Sequence, residues 1–284
     1  MIVKLLDLKA YAKVNLTLDI VGTREDGYHL LESVFHEVPI YDTINLLINR
    51  DGIIDVICTT EYPTENVPMG QDNIAYKTAK KFFQAIGDTT YGVTIIILKR
   101  IPMQAGMGGG SSDAGCILKS LNAMFENPLS DERLIQIAST IGADVPFFIN
   151  GGTAYATNIG DVIKPLKPLP KLNMVVAKGN DGISTIEAYR SIDALESIEH
   201  IDNAKALQCI ENQDITELCK CCGNVFEQIP LPKEVSTIKD TMLQCNALCS
   251  VMTGSGSAVF GIFNTPEEAK KCYDTLQTST KYLI

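Results

Sequence analysis

The chain is 284 residues long, 45% apolar and 20% charged, which bounds it to a soluble globular protein of one large domain or two ordinary ones. Its formal net charge of −10 argues against a general nucleic-acid surface, although a small polyanionic ligand remains open to local donors such as Lys13, Lys99 and Arg100. No apolar run approaches the roughly 20 residues that cross a bilayer.

Met1 to Lys13 mixes charges with its apolar residues. It reads as neither a signal peptide nor an Arg- and Ser-rich transit segment, and a cytosolic location is expected. Residues 9–21 alternate through Tyr11, Val14, Leu16, Leu18 and Ile20 and predict a strand. On it Lys13 and Asn15 share one face, with Val14 and Leu16 on the other, toward the core. A same-face Lys and Asn suits a hydroxyl and a phosphoryl group; a solvated polar strand face has the same pattern. Asp26-Gly27-Tyr28-His29 then sets two rings side by side after a glycine turn. Such rings stack on and hydrogen-bond a nucleobase, or simply pack a loop. Residues 43–49 and 53–58 predict strands around an Asn49-Arg50-Asp51-Gly52 turn. A helix is predicted over 73–86, capped by Asp72 or Asn73 and stopped at Gly87.

The strand-like run Val93–Leu98 leads into Pro102-Met103-Gln104-Ala105-Gly106-Met107-Gly108-Gly109-Gly110-Ser111-Ser112-Asp113, and a helix is predicted over 114–125. Four glycines within Gly106–Gly110 cost backbone entropy, so something must require them. Bare backbone followed by the free N–H groups of a helix start is a ready anion site. Ser111, Ser112 and Asp113 suit the helix entrance as caps, and the two hydroxyls suit phosphate oxygens or a metal. No Gly-Lys-Ser/Thr follows, so this is not the usual P-loop, and Ser111 stands where a dinucleotide fingerprint needs its third glycine. A helix is predicted over 130–141, with Ser130 as N-cap and Gly142 as terminator. In Gly142-Ala143-Asp144-Val145-Pro146-Phe147-Phe148 an Asp amid apolar residues needs a partner, for which Lys13 is a candidate. A desolvated Asp beside a Lys suits a general base; a helix-cap Asp is the plainer alternative.

Thr153–Thr157 predicts a strand. Three prolines in Lys164-Pro165-Leu166-Lys167-Pro168-Leu169-Pro170 cannot continue a helix or central strand, so this is the expected boundary between domains 1–163 and 171–284. Beyond it the pattern gives a strand over 172–177 and helices over 186–194, 201–211, 215–222 and 232–245. A strand pair over 248–252 and 258–263 and a last helix over 266–278 follow. Thr253-Gly254-Ser255-Gly256-Ser257 joins that pair, as a hairpin turn or as a second backbone surface near a substrate. Mixed helices and antiparallel strands make both halves α+β. The nine cysteines are an odd number without an export signal, so reduced thiols are expected. Cys245-x₃-Cys249 meets zinc spacing loosely, and Cys219-x-Cys221-Cys222 does not.

The loop Pro-x-x-x-Gly-x-Gly-Gly-Gly-Ser-Ser resembles the ATP-binding loop of the GHMP kinases. With Ala12-Lys13-Val14-Asn15-Leu16, Asp26–His29, Gly142–Phe147 and Thr253–Ser257, the chain resembles the 4-diphosphocytidyl-2-C-methyl-D-erythritol kinases of that superfamily, from about Ala10 to Phe263. The resemblance implies a two-domain α+β architecture, with a ribosomal-S5-like N-terminal domain and a ferredoxin-like C-terminal domain. It implies phosphorylation of the 2-hydroxyl of 4-diphosphocytidyl-2-C-methyl-D-erythritol by ATP, with Mg²⁺, in the non-mevalonate route to isoprenoids. Neither a nucleic-acid nor a membrane partner is implied. Lys13 and Asp144 match the catalytic pair, with Asn15 beside the methylerythritol. Tyr28 and His29 match one side of the cytosine site, and Thr185 and Tyr189 the other. Asn73 and Lys99 match positions near adenine. Pro102 opens the loop, and Gly106, Gly108, Gly109, Gly110, Ser111 and Ser112 wrap the ATP phosphates. The metal ligands stay open, Ser112 being one candidate. Met107 stands where Leu is commoner and Gly115 where Ala is commoner; Gly115 is expected to loosen the first helix turn by up to ~1 kcal/mol. One competing reading is a GHMP kinase of homoserine or mevalonate type, which needs no cytosine clamp. Another is a nucleotide- or RNA-binding module on an S5-like fold, which the acidic balance and the Lys13/Asp144 pair oppose.

Overall fold

The computed structural model of the chain describes residues 4–62, 67–277, 280 and 282–283. In chain order the elements are β1 (Lys4–Thr23), β2 (His29–Asn49), β3 (Ile54–Thr60), α1 (Ile74–Ile86), β4 (Gly92–Lys99), α2 (Gly109–Met124), α3 (Asp131–Ser139) and α4 (Phe147–Asn150). Then come β5 (Thr153–Thr157), β6 (Val162–Pro165), β7 (Asn173–Lys178), α5 (Thr185–Asp193), α6 (Asn203–Asn212), α7 (Ile215–Cys221) and β8 (Gly223–Asn224). The last are α8 (Lys233–Gln244), β9 (Cys249–Met252), β10 (Val259–Phe263), α9 (Pro266–Leu276) and β11 (Tyr282–Leu283). They form two compact units, each gathered from separate stretches of chain.

The first unit comprises Met1–Ala12, Val38–Pro102 and Gly108–Gly151. In it β4 pairs antiparallel with the second half of β2 and parallel with β3. β4 alternates in burial, so Val93, Ile95 and Ile97 turn to the core with Ile44 and Leu46 of β2. Ala75, Ala79 and Phe82 of α1 and Ile117, Leu118 and Leu121 of α2 close over them. The sequence marks α1 at both ends. Asn73 accepts the N–H of Ala75, and Gly87, at φ +71°, donates to Gln84 and Phe83.

The second unit comprises Lys13–Glu37, Met103–Met107 and Gly152–Ile284. Its four-stranded antiparallel sheet has the order β11-β7-β10-β9. Val175, Val259 and Met252 of that sheet pack with Ala188 and Ile192 of α5, Ile238 and Met242 of α8, and Cys272 and Leu276 of α9. In the same unit β1 pairs parallel with β8, and the first half of β2 pairs with β5, which pairs with β6.

β1 starts earlier than the sequence reading, at Lys4, and α4, β8 and β11 are additional to it; three further differences bear on the motifs. β2 begins at His29, not 43, although Pro39 lies within it. Pro39 is exposed and falls between the stretch paired to β5 (Ser33–His36) and the stretch paired to β4 (Thr43–Asn49), where its missing N–H is tolerated. The proline-rich break starts inside a strand, since Lys164 and Pro165 belong to β6, which ends its sheet. α2 begins at Gly109, ahead of the predicted 114, so Ser112 and Asp113 lie within the helix rather than capping it; Gly108, at φ +70°, is the N-cap.

Candidate active site

In the first unit the glycines form the first turn of α2 itself. Ser112 N–H closes the first helical bond, onto the Gly108 carbonyl at 2.8 Å. The N–H groups of Gly109, Gly110 and Ser111 precede that bond and have no intrahelical acceptor. Gly110 is exposed, and a Cβ built there would meet nothing closer than Ile74 Cγ2 at 3.8 Å. The glycine is therefore not required by the protein's own packing. Ser112 is buried, and its Oγ donates to the Tyr11 carbonyl at 2.5 Å. Gly115 is a different case: a Cβ there would lie 2.5 Å from Phe148 Cβ. The glycine expected to loosen α2 is what lets α2 meet α4.

Asp144 is half-buried in the turn Gly142–Val145, closed by Val145 N–H donating to the Gly142 carbonyl at 3.2 Å. The N-cap position of the helix that follows, α4, is Pro146. A Cβ on Gly142 would stand 3.8 Å from Ser111 Oγ, so the Asp144 turn lies against the start of α2. Asn73 is committed on both sides: Oδ1 accepts from Ala75 N–H at 2.9 Å, and Nδ2 donates to the Pro68 carbonyl at 2.8 Å. The Lys99 ammonium is buried between Asp42 and Asp113. Pro102 is buried beside the similarly buried Ile101.

In the second unit both faces of β1 are enclosed. Lys13, Asn15, Thr17 and Asp19 are buried along with Val14, Leu16 and Leu18, so this is no solvated strand face. Buried polar groups need partners: Asp19 has His200, and the other three belong to one chain. Lys13 Nζ donates to Asn15 Oδ1 at 2.5 Å and lies 4.9 Å from the centre of the Phe35 ring. Asn15 Nδ2 donates to Ser33 Oγ at 2.8 Å, and Ser33 Oγ donates to the Thr17 carbonyl. Thr17 Oγ1 donates to Asn203 Oδ1 at 2.6 Å. Thr253 Oγ1 accepts the Asn15 N–H at 2.9 Å.

Thr253 opens the Thr253–Ser257 turn between β9 and β10, and that turn is bonded to the front of the glycine loop. Ser257 N–H donates to the Gln104 carbonyl and Ala258 N–H to the Ala105 carbonyl, both at 3.2 Å; Lys13 N–H donates to the Met107 carbonyl at 3.1 Å. A Cβ on Gly106, at φ +73°, would stand 2.0 Å from the Thr253 carbonyl oxygen. This glycine is required by close backbone approach. The single motif Thr253-Gly254-Ser255-Gly256-Ser257 is thus both a hairpin turn and a backing for the loop.

The aromatic residues also gather in the second unit. Tyr189 stacks on His29 with centroids 4.6 Å apart and meets Phe226 edge-on at 5.0 Å. His29 Nε2 is 2.7 Å from Asp193 Oδ1, one helical turn beyond Tyr189 on α5. The His29 and Tyr189 rings touch, so no base fits between them; Tyr28, 60% exposed, presents the other ring. Thr185 Oγ1 and Ser255 Oγ lie 2.9 Å apart. Sequence reasoning did not single out Asp42, Ser33, Asp193 or Asn203. Each is one polar residue in an apolar or amphipathic run, and only the fold gives it a partner. Asp113 was read as a cap.

The chain matches the GHMP kinases N terminal domain over residues 73–152 and the GHMP kinases C terminal domain over residues 206–281. A 4-diphosphocytidyl-2-C-methyl-D-erythritol kinase of Caldicellulosiruptor bescii is 41% identical over 280 residues, covering 98% of this chain and 96% of the relative. The chain belongs to the 4-diphosphocytidyl-2-C-methyl-D-erythritol kinase family. A Clostridium botulinum protein of that name is 40% identical, with 96% of each chain covered. A crystal structure of a 4-(cytidine 5'-diphospho)-2C-methyl-D-erythritol kinase superposes with a TM-score of 0.77 at 30% identity, covering 99% of this chain and 97% of that one. An L. major mevalonate kinase shares the fold, with a TM-score of 0.74 at 16% identity over 98% of this chain and 94% of that one. The chain is accordingly a GHMP small-molecule kinase, a phosphotransferase with ATP as co-substrate, with α+β domains. Among the described residues no helix is long and apolar enough to cross a membrane.

Proposed function

We propose that this chain transfers the γ-phosphoryl group of ATP to the 2-hydroxyl of 4-diphosphocytidyl-2-C-methyl-D-erythritol, in the cytosol. The observation that carries the choice of substrate is the Tyr189 ring stacked on His29, whose Nε2 is fixed by Asp193. A histidine held in one orientation suits the hydrogen-bonding edge of a base, and mevalonate and homoserine offer none. Tyr28 supplies a stacking face and Thr185 a hydroxyl.

Phosphoryl transfer spreads charge over the γ-phosphoryl oxygens, so catalysis is mostly positioning and electrostatics. The N–H groups of Gly109, Gly110 and Ser111, with Gly106 and Gly108 shaping the turn, receive the phosphates. Lys13 is the cation, oriented by Asn15 and, through Asn15, by Ser33 and Thr253. Asp144 accepts the hydroxyl proton. Pro102 and Asn73 hold the walls of the ATP site by packing and by capping α1. Mg²⁺ offsets phosphate charge when bound. Ser112, whose Oγ donates to the Tyr11 carbonyl, is the hydroxyl that would lie beside such a metal.

The test is a KM split. Tyr28→Ala should raise KM for the cytidyl substrate about tenfold, as lost base stacking does, and Tyr189→Ala should raise it by releasing the His29 ring it stacks on; both should leave KM for ATP unchanged. Equal loss for both substrates, or better turnover of mevalonate or homoserine than of the cytidyl substrate, would reject the assignment.

A further inference from the structure

Three ionisable side chains lie buried beneath the start of α2. Asp42, Lys99 and Asp113 are 0%, 7% and 3% exposed, so charge among them cannot be left to solvent. Lys99 Nζ donates to Asp42 Oδ2 and, at 2.6 Å, to Asp113 Oδ2. Asp42 Oδ1 accepts the N–H groups of Arg100 and, at 2.8 Å, Ile101, where β4 leaves for the glycine loop. Asp113 is the fifth residue of α2, where the chain returns. The cluster therefore fastens both stems of the loop to one point. A Cβ on Gly109 would come within 3.3 Å of Lys99 Nζ, which puts the ammonium directly under the first helical residue.

Two carboxylates and one ammonium leave an excess negative charge. A buried charge without its own counter-ion is costly, and a proton removes it. Asp113 Oδ1 is buried and accepts no hydrogen bond from the described residues. The groups facing Asp113 are Lys99 from β4, Asp42 from β2, the Cys58 thiol from β3 and the Cys116 thiol on α2. Burial pushes the Asp113 carboxyl up to about 8, with Lys99 opposing the rise and Asp42 adding to it. Burial also opposes the Lys99 charge, but Asp113 and Asp42 more than offset this and raise its pKa. Burial first, and Asp113 after it, push both thiols up to about 11, so they stay neutral where Asp113 titrates.

We propose that Asp42, Lys99 and Asp113 are positioning residues for ATP, with a proton held on the two carboxylates keeping the cluster neutral under the phosphate-binding turn. The proposal rests on reading the glycine loop as the ATP site. Asp42 and Lys99 hold the stems, and Asp113 sets the height and charge of the turn. Loss of the proton adds a buried negative charge on the side that faces the triphosphate.

The test is calorimetric titration of the full chain with MgATP from about pH 6.5 to about 9.5, spanning the raised carboxyl. Wild-type affinity should fall about tenfold as pH passes through about 8. Asp113→Asn is an uncharged replacement for the protonated carboxyl. It should keep the neutral-pH affinity within about twofold and lose the pH dependence. Asp113→Leu removes the tether and should weaken ATP about tenfold at every pH, with KM for the second substrate unmoved. A flat wild-type profile, an Asp113→Asn profile that follows the wild type, or normal ATP affinity in Asp113→Leu overturns the proposal. Gly110→Val separates the two levels. Normal ATP binding in Gly110→Val overturns the loop reading and this proposal with it. Lost binding there, with normal Asp113 variants, overturns only this proposal.

Discussion

Gly106 and Gly110 belong to one loop, yet a side chain should damage each in a different way. Gly106 has φ +73°, and an added Cβ would stand 2.0 Å from the Thr253 carbonyl oxygen. The left-handed backbone costs an L-residue about 1–2 kcal/mol, and a carbonyl cannot swing aside as a side chain does. Moving Thr253 also moves the hydroxyl that holds Asn15. Gly106→Ala should therefore lose at least about 2 kcal/mol, which lowers Tm by roughly 5 °C for a chain of this size, with or without ATP. At Gly110 the nearest atom to an added Cβ is 3.8 Å away, and the residue is already helical. Gly110→Ala should gain up to ~1 kcal/mol from helix propensity. It should nonetheless weaken ATP about tenfold, because the methyl stands where phosphate meets backbone. Scanning calorimetry and ATP titration on both variants decide the matter. An unchanged Tm in Gly106→Ala, or unchanged ATP affinity in Gly110→Ala, would refute the reasoning.

Gly115→Ala should destabilise by about 1–3 kcal/mol despite better helix propensity, because its Cβ would lie 2.5 Å from Phe148 Cβ. A higher urea midpoint would contradict that. Burial holds His36 down to about 4, so it stays neutral against Thr153 Oγ1 at 2.9 Å. A depressed folded pKa means stability is lost as pH falls from the unfolded value near 6.5 toward about 4, by up to about 3 kcal/mol. His36→Asn should flatten the Tm profile across that window, and an unaltered profile would sink the assignment. Lys13→Met and Asp144→Asn should each lower kcat at least ~10²-fold, with the double variant hardly worse than either, as for residues acting as a unit. Fully additive losses in kcat would show two separate roles.

The parts of the fold that were legible are those where local chemistry and tertiary structure agree. Asn73 and Gly87 bracket α1, Ser130 caps α3, and Thr153–Thr157 is β5 to the residue. The glycine loop was legible because its composition is expensive without a ligand or a close neighbour. The reasons for its individual glycines were not. Gly106 is required by Thr253, far along the chain, and Gly115 by Phe148, while Gly110 touches nothing that needs it. The start of β2 was hidden because Asp26-Gly27 sets a turn just ahead of it, Tyr28 and His29 read as rings of that loop, and Pro39 interrupts the run, all of which pairing with β5 overrides. Asp42 was invisible for a similar reason. A single acid in a strand reads as a solvated residue until the fold buries it against Lys99.

The most direct test is where the phosphate lands. C2 of methylerythritol bears a methyl, a hydroxyl and two chain carbons, and no hydrogen. The ³¹P spectrum of the products from ATP and 4-diphosphocytidyl-2-C-methyl-D-erythritol should show a new phosphomonoester resonance with no three-bond coupling to a proton. A resonance split by protons on the phosphate-bearing carbon, or ADP formed with no new phosphomonoester, would contradict the account.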